Sequence, residues 1–353
     1  MRVAVIGGGM SGLSAAHEAS KFSDEITLFH QKPFSSERSG CWGQAIKDFS
    51  RVPLDKDADG YLRDLQKAEF VDKQGSAEVS FTDGAAVERS SLESEWASQL
   101  KEVSMEQERV DKSRLKQISE KSDLVVDCSG PFPVSKKIRN FRYRLIAPML
   151  NCKVSGDFSD IYPNVKVIRY KNYFLEMMPE TEEECNIAIG CSKENNPAEM
   201  YTDMKEMLSD RDIEVPAFGE MKQGNYVSNT LPTILRHSSF GLNGAEVRLT
   251  GDALGIASDM SGFGNSRAAW TGIQAVRTYF NDTSYRRKIL SDQLLSRSVH
   301  TIFRPVHRRI GIVRTMKYIG GQKVEADKLG DPRNLKDIIK ASKQVIKSIS
   351  KHK

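Results

Sequence analysis

Val3-Ala4-Val5-Ile6 runs directly into Gly7-Gly8-Gly9-Met10-Ser11-Gly12, and no other stretch of the chain constrains its fold as much. The apolar run reads as a buried strand. Residues 11–21, with Ala15, Ala16 and Ala19, read as a closely packed helix, and Glu25–Phe29 as a second strand. Strand, helix and strand within about thirty residues form a βαβ unit, so the two strands should be parallel and the fold α/β. Gly7, Gly9 and Gly12 have the spacing GxGxxG. The first glycine permits a tight turn, the second lets the backbone approach a pyrophosphate, and the third lets the helix pack on the strand. The helix N-terminus then offers free N–H groups to the phosphates. Strand two ends Leu28-Phe29-His30-Gln31, with His30 where an acid usually accepts hydrogen bonds from a ribose. A neutral imidazole still offers one acceptor.

A second signal lies far along the chain. Val247–Thr250 is a buried-strand pattern followed by Gly251-Asp252, and Ser261-Gly262-Phe263-Gly264-Asn265 then opens a long helix. A strand ending in Gly-Asp places one carboxylate at the mouth of a sheet, where it can accept from a ribityl hydroxyl. The helix N-terminus can face a negatively charged ring edge. The same residues also read as a plain strand–turn–helix connection with an Asp cap.

Between these signals, Ser91–Leu100 reads as a helix with Leu92, Trp96 and Leu100 on one face, and Leu124–Val126 as a short buried strand ending in Asp127-Cys128-Ser129-Gly130. Residues 36–84 are mixed and turn-rich. Val165–Arg169, Tyr173–Met178 and Asn186–Ile189 are short β-like runs, best read as an antiparallel sheet. The cysteines, 41, 128, 152, 185 and 191, show neither CxxC nor Cys/His metal spacing, so no zinc site or disulfide framework is expected. No apolar run is long enough to cross a membrane. Met1-Arg2 leads at once into the first strand, from which a cytoplasmic location is expected. Positive charge collects at the end: residues 286–353 hold 18 Lys/Arg against 5 Asp/Glu. Within Leu335–Lys351, the Leu, Ile and Val residues follow helical spacing and the lysines lie off that stripe. Such a helix docks on its own protein or lies on an anionic membrane surface. Aromatic residues are too sparse in this segment for nucleic-acid binding.

Read as an ordered series, these segments resemble the FAD flavoproteins of the geranylgeranyl reductase family, within the wider hydroxylase-like flavoprotein superfamily. Val5–Ala16 matches the FAD fingerprint, and Val87–Leu100 is similar to the helix whose Arg, here Arg89, lies near the cofactor. Asp123–Gly130 resembles the family's strand ending Asp-Ala-Thr-Gly, and Gly251–Gly264 its distal FAD motif. Phe174–Gly190 is similar to a substrate-side motif Tyr-x-Trp-x-Phe-Pro followed by Gly-x-Gly. Phe174, Glu176 and Met178 replace its Tyr, Trp and Phe, Pro179 is kept, and Ala188 and Gly190 replace its glycine pair. Cys41, beside Trp42, stands by position where family members carry a cysteine near the flavin.

The resemblance implies a parallel-sheet, Rossmann-like FAD domain from residues 1–50, 85–135 and 245–290. It implies an antiparallel substrate domain from 51–84 and 136–244, and a basic helical region over 291–353. The implied cofactor is FAD, contacted by Gly7, Gly9, Met10, Ser11, Gly12, His30, Arg89, Gly130, Gly251, Asp252, Gly262, Gly264 and Asn265. Cys41 is the implied proton donor, and Trp42, Phe174, Met178 and Pro179 the substrate side. The implied activity is reduction of C=C bonds in an isoprenoid, geranylgeranyl-type lipid by hydride from flavin N5. With no second nucleotide fingerprint in the chain, NAD(P)H binding transiently or a ferredoxin-type protein would supply electrons. Two alternatives stand beside it: a flavin monooxygenase or halogenase-like enzyme, and a non-catalytic flavin-fold scaffold. Peripheral membrane contact through 335–351 would suit a lipid substrate.

Overall fold

The computed structural model describes residues 1–35, 43–73, 75–170, 173–191, 196–210, 213–214, 217–257, 264–294, 297 and 323–325. The chain begins with β1 (Arg2–Ile6), α1 (Met10–Ala19) and β2 (Glu25–His30). Next come β3 (Gly43–Ile46) and a long hairpin, β4 (Tyr61–Asp72) and β5 (Gly75–Glu88). They are followed by α2 (Arg89–Gln99), β6 (Ser104–Gln107), α3 (Lys112–Lys121), β7 (Leu124–Asp127) and a short α4 (Lys136–Arg139). Then come β8 (Leu145–Ser155), β9 (Val165–Tyr170), β10 (Tyr173–Pro179), β11 (Glu184–Cys191), α5 (Pro197–Ser209) and β12 (Ala217–Ser228). The chain returns through α6 (Leu231–His237), the hairpin β13 (Ser239–Leu242) and β14 (Ala245–Leu249), α7 (Gly251–Leu254) and α8 (Asn265–Phe280).

The first sheet has the order β13-β14-β7-β1-β2-β6, parallel throughout except for the β13–β14 hairpin at its edge. Its central strands are buried on both faces, which is why β1 and β7 read as continuous apolar runs. α1 and α8 cover one face together, and glycine permits their close approach. A Cβ on Gly272 of α8 would lie 2.2 Å from the Ser11 carbonyl oxygen, and Ser14 Oγ donates to the Ala269 carbonyl at 2.9 Å. Glu18, almost fully buried, ties the far ends by pairing with Arg277 at 2.7 Å.

The second sheet runs β12-β8-β11-β10-β9-β4-β5, with β3 on β5. Among these strands it is antiparallel except where β9 pairs with β4. α5 covers one face. Its Met200, Met204, Met207 and Leu208 pack on Leu150, Cys152, Leu175, Met177, Ile187 and Ile189. The face opposite α5, the inner face, presents the alternate residues. At the β4–β5 end it is filled by Ala45, Leu65, Phe70, Phe81, Ala86, Val167 and Met178.

Some chain segments lie elsewhere than the sequence suggested. Residues 36–84 contain the longest hairpin of the second sheet. Gly43–Ile46 and 85–88, placed with the FAD domain from sequence, are hydrogen-bonded into that sheet, and Ser239–Leu242 into the first. Residues 285–294 are helical, while Lys323–Glu325 pairs with β5 as a short parallel strand, β15. Leu335–Lys351 lies outside the described residues.

Candidate functional site

The C-terminal ends of β1, β2, β7 and β14 meet at one edge of the first sheet, and every turn there is fixed by backbone bonds. Gly7 N donates to the Phe29 carbonyl at 2.7 Å, Cys128 N to Ile6 at 2.8 Å and Thr250 N to Asp127 at 3.1 Å. Gly7 has φ +102, and a Cβ on it would sit 2.3 Å from the Cys128 oxygen. A Cβ on Gly12 would come within 1.7 Å of the Gly7 oxygen. The first and third glycines are therefore required by the fold itself. Gly9 differs, because the nearest atom to its absent side chain is Arg89 Nη2, at 3.3 Å. Gly9 is also the N-cap of α1, which has no side-chain cap and no acid in its first turn. The end of the helix is left for an anion.

The side chains of Met10 and Ser11 turn away from this edge. Met10 is buried in the core, and Ser11 Oγ donates to Thr250 Oγ1 at 2.6 Å, so only their backbone faces the loop. Cys128 Sγ lies 3.0 Å from the same Thr250 oxygen, and burial pushes its thiol up to about 12, leaving it inert. Asp127 accepts from Ser129 and Ser135, through backbone N and hydroxyl in each case, which fixes the turn carrying Gly130. Gly130 has φ +84 with open space where a Cβ would be, so its requirement is conformational.

His30 closes the β2 end. Its Nδ1 lies 2.8 Å from the Lys32 carbonyl, and the ring packs on Phe34. A carbonyl only accepts, so the neutral ring carries its proton on Nδ1 and keeps Nε2 as an acceptor.

Arg89 is the first residue of α2, where Glu88 caps the Ser90 and Ser91 amides. Its Nε donates to the buried Glu93 at 2.7 Å, and Nη1 lies 3.5 Å from Gln44 Oε1. Gln44 also accepts from Asn265 Nδ2, at 2.7 Å. Asn265 begins α8, whose N-cap Gly264 leaves a second uncapped helix end facing the site. Gln44 thus joins three segments distant in sequence, and the sequence analysis missed it. A lone Gln in a turn-rich stretch carries no local signal. Burial pushes Asp252 up to about 6, with the Arg89 charge opposing. Gly251 beside it has φ +54 and packs on Ser11.

β3 links this edge to the inner face of the second sheet. Gln44 points to Arg89 and Asn265. The neighbouring Gly43 lies on Met178 and Asn186, so close that a Cβ would be 2.2 Å from Met178 Cε, and its carbonyl accepts from Asn186 Nδ2 at 2.6 Å. Of the residues expected on the substrate side, Met178 is therefore packed into the core, and Pro179 is buried at the end of β10. Phe174 stays partly exposed, its ring lying over Gly190. Cys41, Trp42 and Gly262 lie outside the described residues. No group of His, Cys, Asp and Glu among the described residues could hold a metal ion.

Solved structures match over the whole chain. A geranylgeranyl bacteriochlorophyll reductase-like protein from Thermoplasma acidophilum aligns with TM-score 0.71 over 99% of this chain and 98% of its own, at 15% identity. A flavin-dependent brominase aligns with TM-score 0.69 over 99% of both chains, at 14% identity. The chain has a flavoprotein fold. A flavin-dependent halogenase from Xanthomonas campestris shares it more loosely, with TM-score 0.61 over 87% of this chain and 77% of its own, at 13% identity. No protein-family model and no curated protein matches the sequence. No helix among the described residues is long and apolar enough to cross a membrane.

The residues present suit the FAD that this fold implies. The uncapped α1 N-terminus and the bare Gly9 beside Arg89 suit a pyrophosphate, His30 Nε2 suits a ribose hydroxyl, and Asp252 suits a ribityl chain.

Proposed function

We propose that the protein is an FAD-dependent oxidoreductase that reduces C=C bonds of an isoprenoid, geranylgeranyl-type lipid. The observation that carries the cofactor reading is the Arg89 Nη2 standing 3.3 Å from where a Gly9 side chain would begin, at an uncapped helix end, with Asp252 in the field of the same guanidinium. Gly7, Gly9, Gly12, Gly130 and the backbone of Met10 and Ser11 would form the cradle. His30 and Asp252 would take the sugar hydroxyls, with Arg89, Gly251, Gly264 and Asn265 around them. FAD would supply hydride transfer from its reduced ring. The protein's own part is to keep water out and hold the substrate against the inner face, where the partly exposed Phe174 provides apolar surface. The lipid assignment is supported by the resemblance of Phe174–Gly190 and by the full-length match to a reductase-like structure. Cys41 remains the proposed proton donor, and NAD(P)H or a ferredoxin-type protein the proposed electron source. Membrane contact through 335–351 would deliver a lipid.

A halogenase or monooxygenase is the second reading, favoured by the full-length match to a brominase. An absorbance spectrum of the purified protein, followed by dithionite bleaching and anaerobic addition of a geranylgeranyl lipid, separates the two. Recovery of the flavin spectrum without oxygen is expected. Recovery only with oxygen would transfer the assignment to the second reading. A colourless protein that takes up no FAD would sink both and leave a scaffold.

A further inference from the structure

Two stretches of the chain carry no acid. Residues 129–156 hold Lys136, Lys137, Arg139, Arg142, Arg144 and Lys153 without an Asp or Glu, and 221–245 hold Lys222 and Arg236 likewise. The fold brings the two together. β8 and β12 are paired from Leu145 and Ser228 onward, and Phe141 stacks on His237 at the end of α6, with 4.7 Å between ring centroids. Burial, and after it the charges of Arg139 and Arg236, hold His237 below its ordinary 6.5, so both cations lie near that ring.

The charges on this surface face outward. Lys137, Arg139, Arg142, Arg144 and Arg236 are exposed. From Phe141 to Ala147 the chain alternates, with Arg142, Arg144 and Ile146 exposed, Phe141 and Ala147 buried, and Tyr143 bonded to α7. Elsewhere Arg51, Lys56, Arg114 and Arg248 are paired with acids. Lys136, Lys137, Arg139, Arg142 and Arg236 form no ion pair with any described residue. Lys136 Nζ lies over the Tyr143 ring at 5.0 Å and the Arg139 guanidinium over Phe240 at 5.2 Å. An apolar tip stands beside them. Pro131-Phe132-Pro133 follows Gly130, and Phe132, 61% exposed, has the largest exposure among the described large hydrophobic residues. Two prolines fix the backbone around it, and Val134 N donates to Ser129 Oγ at 3.2 Å. The charges alone would suit any polyanion. The ring held out in water, with Ile146 exposed in the same segment, favours a lipid surface, whose headgroup layer takes an aromatic ring while its phosphates take the cations.

We infer that the surface formed by residues 131–146 and the end of α6 docks on an anionic membrane, with Phe132 in the headgroup layer and Lys137, Arg139, Arg142 and Arg236 against lipid phosphates. This contact is separate from the one proposed for 335–351. It also goes beyond the proposed oxidoreductase, since it requires neither FAD nor a lipid substrate. Gly130, one of the cradle glycines, immediately precedes the tip, so the docked membrane lies beside the cofactor edge of the first sheet.

The experiment is sedimentation of the full-length protein with phosphatidylcholine vesicles, either plain or containing about a third phosphatidylglycerol, at low and high salt. Binding to the anionic vesicles alone, weakened by salt, is expected. The double variant Lys137→Glu and Arg142→Glu changes two exposed side chains that form no hydrogen bond or ion pair with the described residues. It should bind at least about tenfold more weakly, since each basic residue near such a surface is worth about fivefold. Phe132→Asp should also weaken binding about tenfold, with circular dichroism unchanged. In Phe132→Trp, bromine-labelled lipid should quench fluorescence that the wild type lacks. Binding without preference for anionic lipid, binding that survives the double reversal, or no added quenching would overturn the inference. So would loss of all binding when Lys336, Lys340, Lys343, Lys347 and Lys351 are changed to Gln, which would assign the contact to that segment. If vesicles fail to bind and the double reversal abolishes retention on immobilised ferredoxin, the surface belongs to an acidic protein and the lipid assignment falls. The flavin content of each sample is read separately. Its absence would remove the cofactor reading and leave the vesicle result standing.

Discussion

The side-chain amide of Asn265 donates to Gln44 Oε1 at 2.7 Å, joining the start of α8 to β3 across 221 positions of sequence. Arg89 Nη1 approaches the same oxygen at 3.5 Å. Gln44→Leu would leave both donors without this acceptor and loosen the terminal guanidinium nitrogens of Arg89, whose Nε stays on Glu93. FAD affinity is expected to fall about tenfold, with circular dichroism unchanged. A fluorescence titration with FAD checks this, and an unchanged Kd would separate Gln44 from the cofactor site.

Two glycines separate crowding from backbone conformation. Gly12→Ala forces a methyl against the Gly7 oxygen, with 1.7 Å available, whereas Gly130→Ala meets no atom and only strains a φ of +84. Gly12→Ala should cost about 3 kcal/mol or more, and Gly130→Ala about 1–2 kcal/mol. Urea unfolding of the apoprotein measures both, and equal costs would contradict the packing at the loop.

Asp252 titrates in an unusual window. Burial raises it from 3.8 to about 6 against the pull of Arg89, so the folded state holds the proton more tightly than the unfolded chain. Its favourable contribution is complete below 3.8 and is lost as pH rises through about 6. Asp252→Asn apoprotein should match the wild type near pH 4, gain relative stability up to about pH 6, and keep a constant advantage above it. Thermal melts at several pH values test the sign. The same substitution should weaken FAD binding, the reverse of its effect on stability.

Glu18 behaves oppositely. Burial pushes its carboxyl up, but hydrogen bonds from Arg277 and Lys21 outweigh this and leave it below the ordinary 4.5. The stability it confers is present above 4.5 and lost as pH falls through its folded-state value. Glu18→Gln should lower stability at pH 7 by about 1–3 kcal/mol. The difference from wild type should shrink in acid, as chemical denaturation at pH 7 and pH 3.5 would show.

The glycine-rich unit was legible because its constraints are local: an apolar strand, a turn only glycine can make, and a helix with small residues on its packing face. The Gly251-Asp252 turn was legible for the same reason. The β4–β5 hairpin was not. Charged residues interrupt the alternation of Tyr61–Asp72, and its strand character comes from pairing along Gly75–Glu88. Gln44 gained its role from partners 45 and 221 positions away.

Two of the chain crossings between the sheets, the one before β8 and the one after β12, are tied to α7. Tyr143 donates from its hydroxyl to the Asp252 and Ala253 carbonyls, and Asn229 donates from its amide to Leu254 and from its backbone to Gly255. Gly255 is left-handed at φ +71, with Asn229 filling the space a side chain would need. The turn that carries Asp252 is thus also the rivet between the halves. A jaw-like opening of the sheets would break these bonds and drag Asp252 out of place, so the two sheets are held together like the plates of a hull.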